Sequence, residues 1–243
     1  MIGAYRAVVF YGLLAVFAAS CLLWGLVSLA LLLFLPRRIR EPTGQFLIMA
    51  GFRYFITLMR VSGIMTCDLT ALDALRRQTP LIIASNHPAL LDVMLVVSRL
   101  PRVVCTAKAR LLNHPFFGAS ARLAGYIPND VPLHFVREAV RQVRAGRQLL
   151  IFPEGTRTGG DGLGPFKHGF ALIAQQAGVP IQTIFIDSNS RFLSKGWAFF
   201  RMPEFPLTYR IRLGAVVPVA GARRDFVAAL EKAYRLELRG EDR

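Results

Sequence analysis

The chain begins with a run that carries no charge. From Ala7 to Leu35 the polar interruptions are only Tyr11, Ser20, Cys21, Trp24 and Ser28, all small or interfacial. At about 1.5 Å per residue this run reaches roughly 40 Å as a helix, beyond the roughly 30 Å of a bilayer core. A signal peptide has an apolar run of roughly 7–15 residues behind several positive charges. Here the run is longer and only Arg6 precedes it, so a retained anchor is expected. Ala18-Ala19-Ser20-Cys21 loosely resembles a lipoprotein cleavage site, but the residues after Cys21 would still leave a span. Arg37, Arg38 and Arg40 follow at once, a bias that places the rest of the chain in the cytoplasm. Gln45–Ser62 is apolar over most of its surface but carries Arg53 and Arg60, the pattern of an interfacial helix. A buried helix, or a hairpin dipping both helices into one leaflet, fits the same residues.

After Gly63 the period changes. Short β-rich runs at Leu81–Ala84, Arg102–Thr106, Leu149–Phe152, Val179–Ile186 and Leu207–Val219 alternate with helical stretches. The latter are Ala89–Ser98, Lys108–Ala124 (interrupted by Pro115), Val131–Gly146, Phe170–Ala177 and Arg223–Leu238. Continuous apolar runs such as Leu81-Ile82-Ile83-Ala84 mark strands buried on both faces. The alternation predicts an α/β domain with a mostly parallel central sheet over residues 63–243, preceded by N-terminal membrane helices over 1–62.

Composition sharpens this picture. Hydrophobic residues make up 53% of the 243 and mean hydropathy is +0.42, too apolar for an ordinary soluble domain. The net charge of +15 rests on 30 Lys and Arg against 15 acids. Such an excess suits anionic headgroups or phosphorylated substrates. The basic residues are dispersed and no nucleic-acid motif accompanies them, so a nucleic-acid partner is not expected. Cys21, Cys67 and Cys105 form neither a disulfide framework nor a zinc spacing.

Two loops carry candidate chemistry, and each follows a buried strand, where open α/β sheets place their ligands. In Asn86-His87-Pro88-Ala89-Leu90-Leu91-Asp92, the acid stands five residues after the histidine. Across a strand-to-helix turn that spacing lets Asp92 bind one imidazole nitrogen and leaves the other to take a hydroxyl proton. The spacing alone would arise by chance in about one such chain in eight. His114, His134 and His168 have no acid at the matching offset. The second loop, Phe152-Pro153-Glu154-Gly155-Thr156-Arg157-Thr158, runs on through glycines to Lys167-His168-Gly169. Its backbone amides, the planar fork of Arg157 and the charge of Lys167 make a cradle for anionic oxygen. No Gly-Lys-Ser/Thr closes it as a nucleotide loop, and no Gly-x-Ser-x-Gly marks a serine nucleophile.

Asn-His-x4-Asp after one strand and Phe-Pro-Glu-Gly-Thr-Arg after a later one resemble the glycerophospholipid acyltransferase family. Ala107–Leu111 with Pro115–Gly118, Gly125–Val131 and Val179-Pro180-Ile181 resemble the segments the family places between and after them. The resemblance implies a membrane-bound O-acyltransferase of the 1-acylglycerol-3-phosphate type, with a single glycerolipid-acyltransferase-like domain. It implies that His87 is the general base, oriented by Asp92. It assigns Glu154, Gly155, Thr156 and Arg157 to the acceptor phosphate site, with Lys108, Arg110 and Lys167 as further basic contacts. The donor would be an acyl thioester, acyl-CoA or acyl carrier protein, entering as substrate, with no metal and no bound cofactor. Membrane lipids and a lysophospholipid acceptor would be its partners. The expected location is a bacterial inner membrane, with the catalytic domain on the cytoplasmic face.

The chain departs from the pattern at three points. Val131 stands where the second block has arginine, Arg110 where the preceding segment has glutamate, and Thr183 where a second proline is common. Arg110 would restore the missing positive charge, leaving a phosphorylated acceptor; otherwise the acceptor is a non-phosphorylated lysolipid such as a lyso-aminolipid. A catalytically silent lipid-binding scaffold and a thioesterase on the same site are the remaining alternatives.

Overall fold

The computed structural model describes residues 2–115, 117–158 and 163–240. Two long helices, α1 (Ile2–Phe34) and α2 (Arg37–Val61), lead into a seven-stranded sheet. Its strands are β1 (Met65–Asp68), β2 (Leu81–Ser85), β3 (Val103–Ala107), β4 (Ile127–Pro128), β5 (Gln148–Ile151), β6 (Ile181–Ser188) and β7 (Leu207–Val217). The helices between and after them are α3 (Leu91–Val97), α4 (Ala109–Leu112), α5 (Gly118–Leu123), α6 (Pro132–Arg144), α7 (Gly169–Ala177) and α8 (Arg223–Arg239). A 3₁₀ turn spans Thr70–Leu75.

In space the strands run β1-β7-β6-β2-β5-β3-β4. The block β6-β2-β5-β3-β4 is parallel, β7 pairs antiparallel with β6, and β1 pairs parallel with β7. The fold is therefore α/β with a mostly parallel sheet. Every residue of β2 and β5 is buried, as the continuous apolar runs require. Because β2 lies between β5 and β6, the chain leaving all three strands emerges at one edge. That edge carries Asn86–Asp92, Phe152–Thr158 and the segment after Ser188.

The sheet divides two apolar layers. One packs α3, the 3₁₀ turn and both N-terminal helices; the other packs α6, α7 and α8. The helices start earlier than hydropathy predicts, at Ile2 instead of Ala7 and at Arg37 instead of Gln45. Arg6 is tolerated because a helix end lets a long cationic chain reach polar surroundings, and Arg40 donates to the Leu35 carbonyl at 2.7 Å. The lone run of α1 is also less free than its composition implies. Phe10, Gly25 and Ser28 are buried, and Leu13, Leu14, Phe17, Cys21 and Trp24 are partly covered, a stripe at helical spacing down one face. Ser28 Oγ meets Ser120 Oγ of α5 at 3.0 Å, and Tyr5 donates to the carbonyl of Ser62 at 3.0 Å. The other faces expose Val8, Leu23, Leu26 and Leu33. On α2, Gln45, Ile48, Met49, Ile56 and Met59 turn inward while Phe46 and Tyr54 face out. Arg53, one of the two cations on this helix, donates to the carbonyl of Ser98 at the end of α3.

Candidate functional site

His87 sits in the turn between β2 and α3. Its Nδ1 lies 3.0 Å from Asp92 Oδ2, and the same oxygen accepts the backbone N–H of Ala89 at 2.7 Å. Asp92 is fully buried and the His87 side chain is only 12% exposed. Burial pushes the Asp92 carboxyl up from its ordinary value, and the neighbouring Glu154 charge adds to this; His87 and the Ala89 N–H act in the opposite direction. The second oxygen, Oδ1, is buried without a hydrogen-bond partner among the described residues. Such an atom is held at a cost, which the dyad geometry makes unavoidable. With Nδ1 engaged, Nε2 is the nitrogen left for a substrate proton. Phe152, at the end of β5, stacks on the imidazole with centroids 3.8 Å apart and planes 17° from parallel. Asn86 locks the turn to β6, donating to the Ile186 carbonyl at 2.9 Å and accepting its N–H at 2.8 Å.

Glu154 is 3% exposed and is held by donors from its own loop and from the histidine turn. Oε1 accepts the His87 N–H at 3.2 Å, Oε2 accepts the Gly164 N–H at 2.8 Å, and the Thr158 hydroxyl reaches both oxygens. Thr158 N–H in turn donates to the His87 carbonyl at 2.8 Å. Glu154 thus shapes the site as a bracket that ties the histidine turn to the glycine-rich loop. A Cβ at Gly164 would sit 2.9 Å from Glu154 Oε2, so a larger residue there would displace the carboxylate. Glu154→Gln puts an amide N–H against either the Gly164 or the His87 N–H. The expected result is a kcat/KM about tenfold lower from one lost charge-assisted bond. Steady-state kinetics checks this, and an unchanged kcat/KM would refute the bracket.

Gly155, at φ +69°, makes the turn in which Lys167 lies across the backbone; a Cβ there would meet Lys167 Cδ at 3.0 Å. Thr156 is exposed beside it. Arg157 Nη1 donates to the carbonyls of Leu193 at 2.8 Å and Ser194 at 3.2 Å. So Glu154, Gly155, Thr156, Arg157 and Lys167 gather at the histidine turn. Lys108 and Arg110 are exposed at the start of α4, which follows β3, the parallel neighbour of β5. Asp130, before the unusual Val131, ties that corner together by accepting the Ala109 N–H. Gly159, Gly160, Asp161 and Gly162 lie outside the described residues, as does Phe116.

A cavity of about 250 Å³ opens beside the dyad, lined by Asn86, Pro88, Thr158, Ser188, Arg191 and Ser194. Part of this wall, including Arg191 and Ser194, comes from the segment after β6, which carries no motif and gave no signal in the sequence. Phe152 and Asn86 did stand inside the quoted motifs, but their roles as stacking partner and strand clamp depend on β5 and β6. A larger hollow of about 710 Å³ lies at the β1–β7 edge, lined by Arg60, Cys67, Asp68 and Arg210, with none of the motif residues.

Residues 67–187 match the family model described as Acyltransferase. The 1-acyl-sn-glycerol-3-phosphate acyltransferase of Pseudomonas aeruginosa is 28% identical over 235 residues, covering 94% of this chain and 87% of that protein. The human 1-acyl-sn-glycerol-3-phosphate acyltransferase beta is 29% identical, covering 93% and 80%. Among solved structures, the 1-acyl-sn-glycerophosphate acyltransferase of Thermotoga maritima superposes with a TM-score of 0.70 over 98% of this chain and 99% of its own. At 19% identity, that likeness speaks for the fold. With the matched region enclosing both the His87–Asp92 dyad and the Glu154 loop, the chain belongs to the acyltransferase family.

Proposed function

We propose that this acyltransferase moves a fatty acyl group from a thioester, acyl-CoA or acyl carrier protein, to the free hydroxyl of 1-acylglycerol-3-phosphate. The observation that carries the reading is the buried Asp92 carboxylate 3.0 Å from His87 Nδ1, beside a cavity lined by Thr158, Arg191 and Ser194. His87 Nε2 takes the hydroxyl proton as the oxygen attacks the thioester carbonyl. A C–O bond forms, the tetrahedral intermediate collapses, the C–S bond breaks, and the imidazolium returns its proton to the departing sulfur. Asp92 stabilises the imidazolium between the two proton transfers. The thioester is already activated, so no acyl-enzyme is required. Arg157, Arg191 and Lys167 supply the positive field for the acceptor phosphate. The names of the curated relatives support this acceptor.

In the same reading α1 and α2 enter one leaflet of a bacterial inner membrane as a hairpin, with the catalytic domain on the cytoplasmic face. Support comes from α1, which is long and apolar enough to cross a membrane yet touches the α/β domain from Phe10 to Ser28. A non-phosphorylated lysolipid is the second reading, favoured by Val131, which is 61% exposed at the position of the family's arginine.

An acceptor screen with labelled acyl-CoA and acyl carrier protein decides between the two. For lysophosphatidate, kcat/KM is expected to exceed that for non-phosphorylated lysolipids about ten- to hundredfold, the worth of one charge-assisted contact or more. Equal values would remove the phosphate from the proposal.

A further inference from the structure

The connection between β6 and β7, residues 189–206, walls the catalytic cavity at one end and exposes an aromatic tip at the other. Phe199, Phe200 and Met202 are 44%, 70% and 40% exposed, and the exposed cations Lys195 and Arg201 flank them. Glu204 is the only acid in the segment. The tip is braced from within. Trp197 Nε1 donates to the Arg201 carbonyl at 3.0 Å, and the Arg201 guanidinium lies 4.8 Å above the indole ring. A rigid group of phenyl rings beside an amphipathic indole and two cations has the composition of an interfacial anchor.

The segment is connected in two directions. Outward, Tyr11 of α1 donates to the Phe200 carbonyl at 3.3 Å, and Phe10 packs against Phe192 and Phe205 at 5.9 Å. The tip therefore continues the exposed apolar surface of α1, where Ile2, Tyr5 and Val8 face out. Inward, the Leu193 carbonyl accepts both Arg157 Nη1 and the Leu90 N–H at the start of α3, the helix that carries Asp92. Leu193 holds this position at φ 60°, a conformation that costs a non-glycine residue on the order of 1–3 kcal/mol.

We propose that residues 195–202 are a membrane-contacting arm. Phe199, Phe200 and Met202 enter the interface of a bilayer containing anionic phospholipid, and Lys195 and Arg201 rest on its headgroups. The contact sets the cavity mouth, through Leu193 and Ser194, at the lipid surface. A bilayer is selected as the occupant because the tip is continuous with the apolar face of α1 and its cations complement anionic headgroups. The arm goes beyond the acceptor reading and rests on it in one respect: a lipid hydroxyl reaches His87 without leaving the interface.

The test uses the full-length chain. The sequence has two tryptophans, so Trp24→Phe leaves Trp197 as the sole indole. Phosphatidylglycerol vesicles carrying lipid brominated near the headgroup are expected to quench Trp197, and phosphatidylcholine vesicles to quench it less. With Trp24 retained, Phe199→Ser combined with Phe200→Ser is expected to lower transfer to a vesicle-borne acceptor about tenfold or more. Transfer to a monomeric short-chain acceptor should stay within about twofold, since neither ring touches the dyad. Unquenched Trp197, or an undiminished vesicle rate, would overturn the arm. An acidic carrier protein docking on the same cations would leave Trp197 unquenched by the lipid and so overturn it too. If the wild-type chain acylates no lysophospholipid, the acceptor reading fails, while the quenching still decides the arm.

Discussion

His87→Ala is expected to reduce acyl transfer by about 10²–10⁴-fold, the usual contribution of a positioned general base. The loss should fall on kcat, because the imidazole takes the proton only as the hydroxyl attacks. The folded state should persist. His87 contributes its backbone N–H to Glu154 and its carbonyl to Thr158, and alanine keeps both. What disappears is one face of the stack on Phe152 and the Nδ1 contact to Asp92. Circular dichroism matching wild type, with transfer assayed in purified membranes, is the measurement. Near-normal turnover would sink the acyl-transfer mechanism. A thioesterase on the same site would lose acceptor-independent release of fatty acid in parallel, so that release is followed in the same assay.

Asp92→Asn is expected to cost transfer about 10²–10³-fold while leaving stability at neutral pH unchanged or improved. An asparagine oxygen in the place of Oδ2 keeps both the Ala89 N–H and the His87 contact. Its amide then occupies the site of the unpartnered Oδ1. A buried neutral amide without an acceptor costs less than a buried anion, so the substitution relieves strain at the expense of chemistry. The imidazolium formed in the first proton transfer loses its counter-charge, and kcat falls. The pH dependence has a definite sign. Burial raises the folded-state Asp92 carboxyl above its ordinary 3.8, so ionising it destabilises the folded chain as pH rises through that raised value. The stability gap between variant and wild type should therefore be largest at neutral pH and close on acidification toward the ordinary carboxylate range. Thermal melts across pH check this. A variant less stable than wild type at neutral pH would mean that Oδ1 has a partner.

These expectations draw unequally on sequence and structure. The His87–Asp92 pair was legible because its members are five residues apart across a strand-to-helix turn, a distance over which local geometry decides contact. Glu154 was legible as a member of the site but not as its bracket. One of its donors, the N–H of His87, reaches it only because β2 and β5 are neighbours. Arg157 was read as a phosphate contact; its engagement with Leu193 and Ser194 depends on β6 lying on the other side of β2. Lys108 and Arg110 looked equivalent to Lys167 by charge; sheet order puts them after β3, on the far side of β5 from β2. β1 went unpredicted because four residues at an edge, only one of them buried, leave no apolar run to read.

The sequence by itself determined the apolar N-terminal helices, the strand–helix alternation, and the two strand-end loops that hold the chemistry. Those features follow from periodicity and from spacings shorter than a helical turn or a loop. Only the tertiary structure decided which face of α1 packs on the domain. Its covered stripe is as apolar as its exposed sides, so composition cannot distinguish them. The tertiary structure alone also brought residues 188–194 to the dyad, because a β6 beside β2 carries its following segment to the same edge of the sheet.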